Sequence, residues 1–193
     1  MKNLEELLAE AGRAHGHLCA GQVLGVRRAL YGLRLLDIDN PTGKNSKRLI
    51  IFVEIDRCAT DAITVVTGCR LGQRTLKFRD FGKMAATFCD IQGNRAVRLV
   101  ALDSAKNRAM QMYPELQNKN LQQMKVYREL PDEDLFAAQW VRVRLDSEDL
   151  PGYKKPEALC SQCGESIQFG REILREGIVL CRACAGQRYY DFL

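Results

Sequence analysis

Histidine is nearly absent from this chain: His15 and His17 are the only two, and a single glycine separates them. Long apolar runs are missing too. The longest, Leu49–Val53 and Leu99–Leu102, fall far short of the roughly 20 residues that a membrane-spanning helix needs. The opening stretch MKNLEELLAEAG mixes acidic and apolar residues and holds no apolar segment of signal-peptide type. A soluble, cytoplasmic protein without membrane contact is the expectation. Any large excess of one charge sign is also missing: the net charge of +5 is spread along the chain, with no concentrated basic footprint. Nucleic acid is therefore not an expected partner. There is no internal repeat and no low-complexity tract.

What the chain does have is eight cysteines. Four disulfides would suit a small secreted domain, and this chain is neither short nor expected to be exported. Cys160-x-x-Cys163 and Cys181-x-x-Cys184 point to reduced metal ligands instead. Four thiolates close a tetrahedral zinc site, and a closed site is structural rather than catalytic. Gly164 permits the tight turn after the first pair. Glu172–Leu174 and Ile178–Leu180 flank Arg175-Glu176-Gly177 as a hairpin, and Ala185–Phe192 reads as a terminal helix. Knuckle, hairpin and a pair at a helix start make a treble-clef zinc finger over residues 159–193. A module this small cannot build a sufficient core and relies on its metal.

The rest reads as an α+β core domain over residues 1–146, joined to the finger by a Pro- and Gly-bearing linker at 147–158. Leu4, Leu7, Leu8 and Ala11 share one helical face, and Ala20–Leu36 has helical spacing. Gly21, Gly25 and Gly32 cost that second helix propensity, so they imply a close backbone approach. Asp39–Asn45 reads as a turn-rich loop. Arg48–Ile55 is a buried strand, and Cys58–Cys69 a short helix closed by Gly68. Arg74–Phe81 reads as a strand, and Ala85–Ile91 with Ala96–Asp103 as a hairpin. Helical spacing returns over Ser104–Tyr113 and Glu115–Arg128. Leu130–Asp132 starts a short turn or helix, and Trp140–Leu145 alternates as a strand. Because strands and helices are not regularly interleaved, helices packed on a mainly antiparallel sheet are expected.

A second metal site is centred on His15-Gly-His17-Leu-Cys19. On an extended segment His17 and Cys19 project the same way, and a helix start at Cys19 favours its thiolate. Cys58 stands at another helix start and supplies a donor from elsewhere in the chain. His15 is a third ligand, an orienting partner or a general base. Cys69 lies roughly 16 Å along the helix from Cys58, too far to share an ion with it. Cys89 reads as a small buried hydrophobe. Asp56, Asp61 and Asp80 are candidate carboxylates for orienting a ligand. Arg70, Arg74, Lys77, Arg79 and Lys83 form a basic segment that either meets an anion or is a solvated strand face. Two or three protein ligands leave a metal position open, as in a Lewis-acid centre. A free reactive cysteine without metal is the alternative.

The stretch His-Gly-His-Leu-Cys-Ala-Gly, followed by Gly25-Val-Arg-Arg-Ala, resembles the opening motif of the FmdE family, named for a component of formylmethanofuran dehydrogenase. Cys58-Ala-Thr-Asp-Ala-Ile through Thr-Gly-Cys69 is similar to its second motif, and Phe81-Gly-Lys-Met-Ala-Ala-Thr-Phe88 to a third. The resemblance spans residues 5–145 and implies an α+β core with an accessory treble-clef finger, assembled as a homodimer. It implies His17, Cys19 and Cys58 as core metal ligands, with Cys69 and Asp61 as near neighbours. Ala20 stands where the motif usually has proline, which relaxes a turn and removes no ligand. The core metal would be zinc or another transition metal, since a soft Cys/His site accepts several. The parent enzyme uses a molybdenum or tungsten pterin and iron–sulfur centres held on other chains of its complex. This chain has no ferredoxin-type cysteine run, so it is not expected to catalyse that reaction alone. Three functions compete: a metal-binding accessory protein of a molybdenum or tungsten oxidoreductase, a stand-alone metalloenzyme, and an adaptor acting through the finger.

Overall fold

Asn3 starts the first helix through a reciprocal pair of bonds. Its side chain accepts from the Glu6 N–H at 2.9 Å, and the Glu6 carboxylate accepts from the Asn3 N–H at 2.8 Å. The structure, a computed structural model, describes residues 2–42 and 47–193. Residues 43–45 of the expected loop lie outside the described residues. Helix α1 (Leu4–His15) buries Leu7, Leu8 and Ala11 on one face. Helix α2 (Ala20–Leu35) is apolar on most sides and buried along nearly its whole length. It packs on α1, on α3 (Cys58–Thr67) and on the sheet. The three glycines of α2 allow this. A methyl group on Gly25 would stand 2.5 Å from the Ala59 carbonyl oxygen, and one on Gly32 would stand 2.7 Å from the Phe88 ring.

Five strands form one sheet in the order β2-β1-β3-β4-β5, from β1 (Leu49–Val53), β2 (Leu76–Phe78), β3 (Ala85–Asp90), β4 (Arg95–Ala101) and β5 (Phe136–Trp140). Only β1 and β2 run parallel, with Ile51 beside Leu76; the other pairings are antiparallel. Leu49, Ile51, Val53, Phe88, Val97 and Leu99 lie in the same core cluster as α1 and α2 residues. Their period of two puts them on one face of the sheet. The mainly antiparallel α+β class is therefore present as expected.

Two ion pairs staple the sheet. Arg48 grips Asp90 with two bonds of 2.7 and 2.6 Å, and Arg98 grips Glu54 with two of 2.7 Å. The remaining helices are α4 (Asp103–Met112), α5 (Lys119–Glu129) and α6 (Asp132–Leu135). Arg27 of α2 anchors the last two. It donates to the carbonyls of Tyr127, Arg128 and Leu130 at 2.7–2.9 Å and to the Asp132 carboxylate.

The strand expected over Arg74–Phe81 covers only Leu76–Phe78, because Arg74 closes a short turn at φ 62°, and three further elements differ from expectation. The last strand of the sheet lies at Phe136–Trp140 rather than Trp140–Leu145, because α6 delivers buried Phe136 straight into register with Ala101. Val141 still donates to Ala96, but the alternation beyond it belongs to extended chain without a strand partner among the described residues. Helix α5 begins at Lys119 and not at Glu115, since the Asn118 side chain caps it by accepting from Asn120 and Leu121. The terminal helix over Ala185–Phe192 is not formed. Residues 183–187 make a single turn, which Gly186 ends at φ 93°.

The chain divides into two compact units, Met1–Val143 and Arg144–Leu193. The second holds two hairpins, β6 (Ala158–Leu159) with β7 (Ser166–Ile167) and β8 (Ile173–Arg175) with β9 (Ile178–Leu180). No helix among the described residues is long and apolar enough to cross a membrane.

Candidate metal centres

Cys160 and Cys163 sit on the turn between β6 and β7, where the Gly164 N–H bonds the Cys160 carbonyl at 2.9 Å. Cys181 and Cys184 follow β9. One sulfur from each of the four lies within 4.8 Å of every other. Backbone N–H groups aim at these sulfurs: Cys181 N–H at Cys160 Sγ and Cys184 N–H at Cys181 Sγ, each at 3.3 Å. Donation of this kind favours thiolate, and the Cys163 and Cys181 N–H groups pull the Cys160 thiol down to about 6. Four convergent soft donors, two of them accepting the N–H bonds just given, are what a structural zinc ion requires.

The first unit holds a different cluster. His15 ends α1, His17 lies in the connection, and Cys19 is the N-cap of α2. One donor atom from each lies within 4.8 Å of the other two. The His15 and His17 rings are tilted at 44°, with centroids 5.0 Å apart. Asp61, from the first turn of α3, reaches His15: its Oδ2 lies 2.7 Å from Nδ1. A carboxylate on Nδ1 holds that nitrogen as the donor and leaves the Nε2 lone pair for a metal.

Cys58 stands outside the 4.8 Å trio yet beside Cys19. A Cβ on Gly21 would meet the Cys19 and Cys58 sulfurs at 3.7 Å each, and the Cys58 Cβ at 3.0 Å. Burial, then the hydrogen bond with Cys19, pushes the Cys58 thiol above its ordinary pKa. The two thiols meet because α2 and α3 touch backbone to backbone where Gly25, just over a turn into α2, meets Ala59, the second residue of α3. Cys69 is not brought in. It lies past the far end of α3, buried, with Sγ 3.7 Å from the Leu49 carbonyl oxygen, and burial raises its pKa. Cys89 is buried in β3 as expected, and burial pushes it up to about 12.

A cavity of about 750 Å³ opens beside His17, Cys19 and Cys58. Four helices begin on it: Ala20 and Gly21 open α2, Arg57 and Cys58 open α3, Asp103 opens α4, and Asn120 lies in the first turn of α5. Asn120 belongs to the site and was invisible in the sequence. Its side chain caps α2 across 100 residues of chain, accepting from the Ala20 N–H at 2.9 Å. Gln22 is another such residue, donating to the Cys58 carbonyl at 2.6 Å. Neither carries a motif; only the packing of α5 and α3 on α2 gives them a role.

This is a mixed α/β fold that gathers a histidine–cysteine cluster where α1 ends and α2 and α3 begin, followed by a four-cysteine finger. It is a class of zinc-finger protein with a polar core site, and comparison narrows it. Residues 14–144 match the family model described as FmdE, molybdenum formylmethanofuran dehydrogenase operon, and residues 152–190 match the prokaryotic dksA/traR C4-type zinc finger. The chain belongs to the FmdE family and carries a C4 zinc finger. A curated relative from Archaeoglobus fulgidus, described as a probable S-adenosyl-L-methionine-binding protein, is 28% identical over 206 residues, covering 96% of this chain and 54% of its own. The chain thus spans about half the length of that relative. The fold is similar to the crystal structure of a tungsten formylmethanofuran dehydrogenase FmdE-like protein from Syntrophus aciditrophicus. The TM-score is 0.64 at 17% identity, covering 98% of this chain and 95% of that one.

Proposed function

We propose that the cleft is a second, open metal site and that the chain is a metal-binding accessory protein of a molybdenum or tungsten oxidoreductase system. The observation that carries the metal site is the convergence of His15, His17 and Cys19, with His15 aimed by Asp61. Two imidazoles and a thiolate, with Cys58 adjacent, form a borderline-soft donor set suited to zinc and its first-row neighbours. His15, His17 and Cys19 would hold the ion, and Cys58 would complete or exchange with that set. A metal there would supply Lewis acidity at a position facing the cavity. The protein's own share is to orient His15 through Asp61, to keep Cys58 against Cys19, and to fix α2 with the Asn120 cap. Assembly as a homodimer and with dehydrogenase subunits belongs to the same reading and is drawn from the family. The cleft would then receive a ligand presented by, or passed to, the larger complex.

The description of the Archaeoglobus relative raises S-adenosyl-L-methionine as a second ligand reading, and the cavity volume suits a molecule of that class. Arg57 and Lys83 on its wall count against a sulfonium cation, because like charges repel in a confined cleft.

Cobalt substitution tests the metal reading. Cobalt(II) in the closed finger should give thiolate charge-transfer bands that azide leaves unchanged. Cobalt in the cleft should add a second set that azide shifts. A spectrum accounted for by the finger alone, with no azide response, would end the open-site reading. Retention of dehydrogenase subunits on the tagged chain in its native host tests the accessory role, and purification of the chain by itself would count against it.

A further inference from the structure

The cavity is much larger than one ion and its ligands require, and it falls in the range that holds a small organic molecule. Its wall has two kinds of surface. Leu24, Ile55, Met84 and Val100 make an apolar side, while Arg57, Lys83 and Lys106 bring cations. Lys106 is neutralised by Asp103, which also lines the cavity and lies 2.6 Å from it. Arg57 and Lys83 have no such partner among the described residues.

These two cations stand on neighbouring, fixed backbone. Arg57 is the N-cap of α3. The turn bearing Lys83 is tied to the same segment, for the N–H groups of Phe81 and Lys83 both donate to the Glu54 carbonyl, at 3.1 and 3.2 Å. Helices α3 and α4, which begin on the cavity without side-chain caps, add partial positive charge of the same sign. Two unanswered cations over an apolar wall define the complementary shape and charge of a ligand.

We infer that the cleft binds a small organic anion with an apolar body. Its acid group is held by Arg57 and Lys83, and its body lies on Leu24, Met84 and Val100 beside Cys19 and Cys58. A guanidinium offers a planar fork that fits a carboxylate or a related oxyacid, and the ammonium adds a point charge. The inference rests on the reading of this cleft as the functional site, but not on the metal being present.

Two fluorescent probes of nearly one shape test it: 8-anilinonaphthalene-1-sulfonate and its neutral counterpart N-phenyl-1-naphthylamine, titrated against the full chain. The sulfonate should bind about tenfold more tightly than the neutral amine, the usual size of a charge-assisted contact. Arg57→Gln with Lys83→Gln should abolish that preference and leave the neutral probe's Kd unchanged. Both residues are exposed, so the fold should survive, as circular dichroism will show. Equal affinity for the two probes in wild type, or a sulfonate preference that persists in the double variant, would overturn the inference. Metal content measured on the same samples separates the two ideas. Acid preference without a core metal keeps this inference and sinks the open-site reading; a core metal without acid preference does the reverse.

Discussion

Gly25 and Ala59 meet with no side chain between them: a methyl group on Gly25 would stand 2.5 Å from the Ala59 carbonyl oxygen and 2.7 Å from its Cα. That contact sets the distance between α2 and α3, and with it the meeting of Cys19 and Cys58 at the helix starts. Gly25→Ala must push the helices apart. We expect a stability loss of about 1–3 kcal/mol, as for other overpacked cores. A lower Tm should come with weaker metal binding in the cleft and unchanged metal binding in the finger. Chemical denaturation and metal titration check the two parts separately.

Asp61 is 60% exposed, so its pairing with His15 adds little to stability. Its effect should fall on the histidine's orientation. Asp61→Asn should lower core metal affinity by about 10- to 100-fold while leaving the unfolding midpoint of the metal-free protein within error. Competition with a chromophoric chelator measures the first and thermal unfolding the second.

The Arg48 bond, the largest influence, holds the Asp90 carboxyl below the usual carboxylate range, and the N–H groups of Gly93 and Gln92 help. The sign follows from linkage. A folded-state pKa below the unfolded one gives stability that is fully present above the unfolded value, near 3.9, and is lost as pH falls through the folded one. Urea midpoints should therefore hold steady near neutrality and decline below about pH 4. Arg48→Met should lower the urea midpoint at pH 7, because the buried Asp90 carboxylate then keeps only Arg95, 4.0 Å away, as a cation, and the gap to wild type should narrow in acid.

Much of this architecture was legible in the chain. The α2 glycines announced a close approach, and the Cys58–Gly68 spacing announced a helix with Cys58 at its start; the structure has α3 over Cys58–Thr67, with Gly68 as its cap. The finger could be read because paired cysteines at fixed spacing leave few alternatives. The cleft was harder. His15, His17 and Cys19 are neighbours in sequence, but Asp61 reaches His15 only because α1 packs on α3. Asn120 carries no metal-ligand or cleft signal, since its part depends on α5 docking across α2, which the Arg27 anchor secures. The misplaced last strand has a plain cause. Val141, Val143 and Leu145 alternate like a strand, yet the core is already closed by Phe136, and alternation does not reveal whether a partner strand is free.

The most direct test of the account is metal content per chain by mass spectrometry, on wild type and on Cys19→Ala. Wild type should carry about two equivalents and the variant about one, with the finger's zinc retained in both. One equivalent in each protein would contradict the account, leaving a structural zinc in the finger and no metal in the cleft.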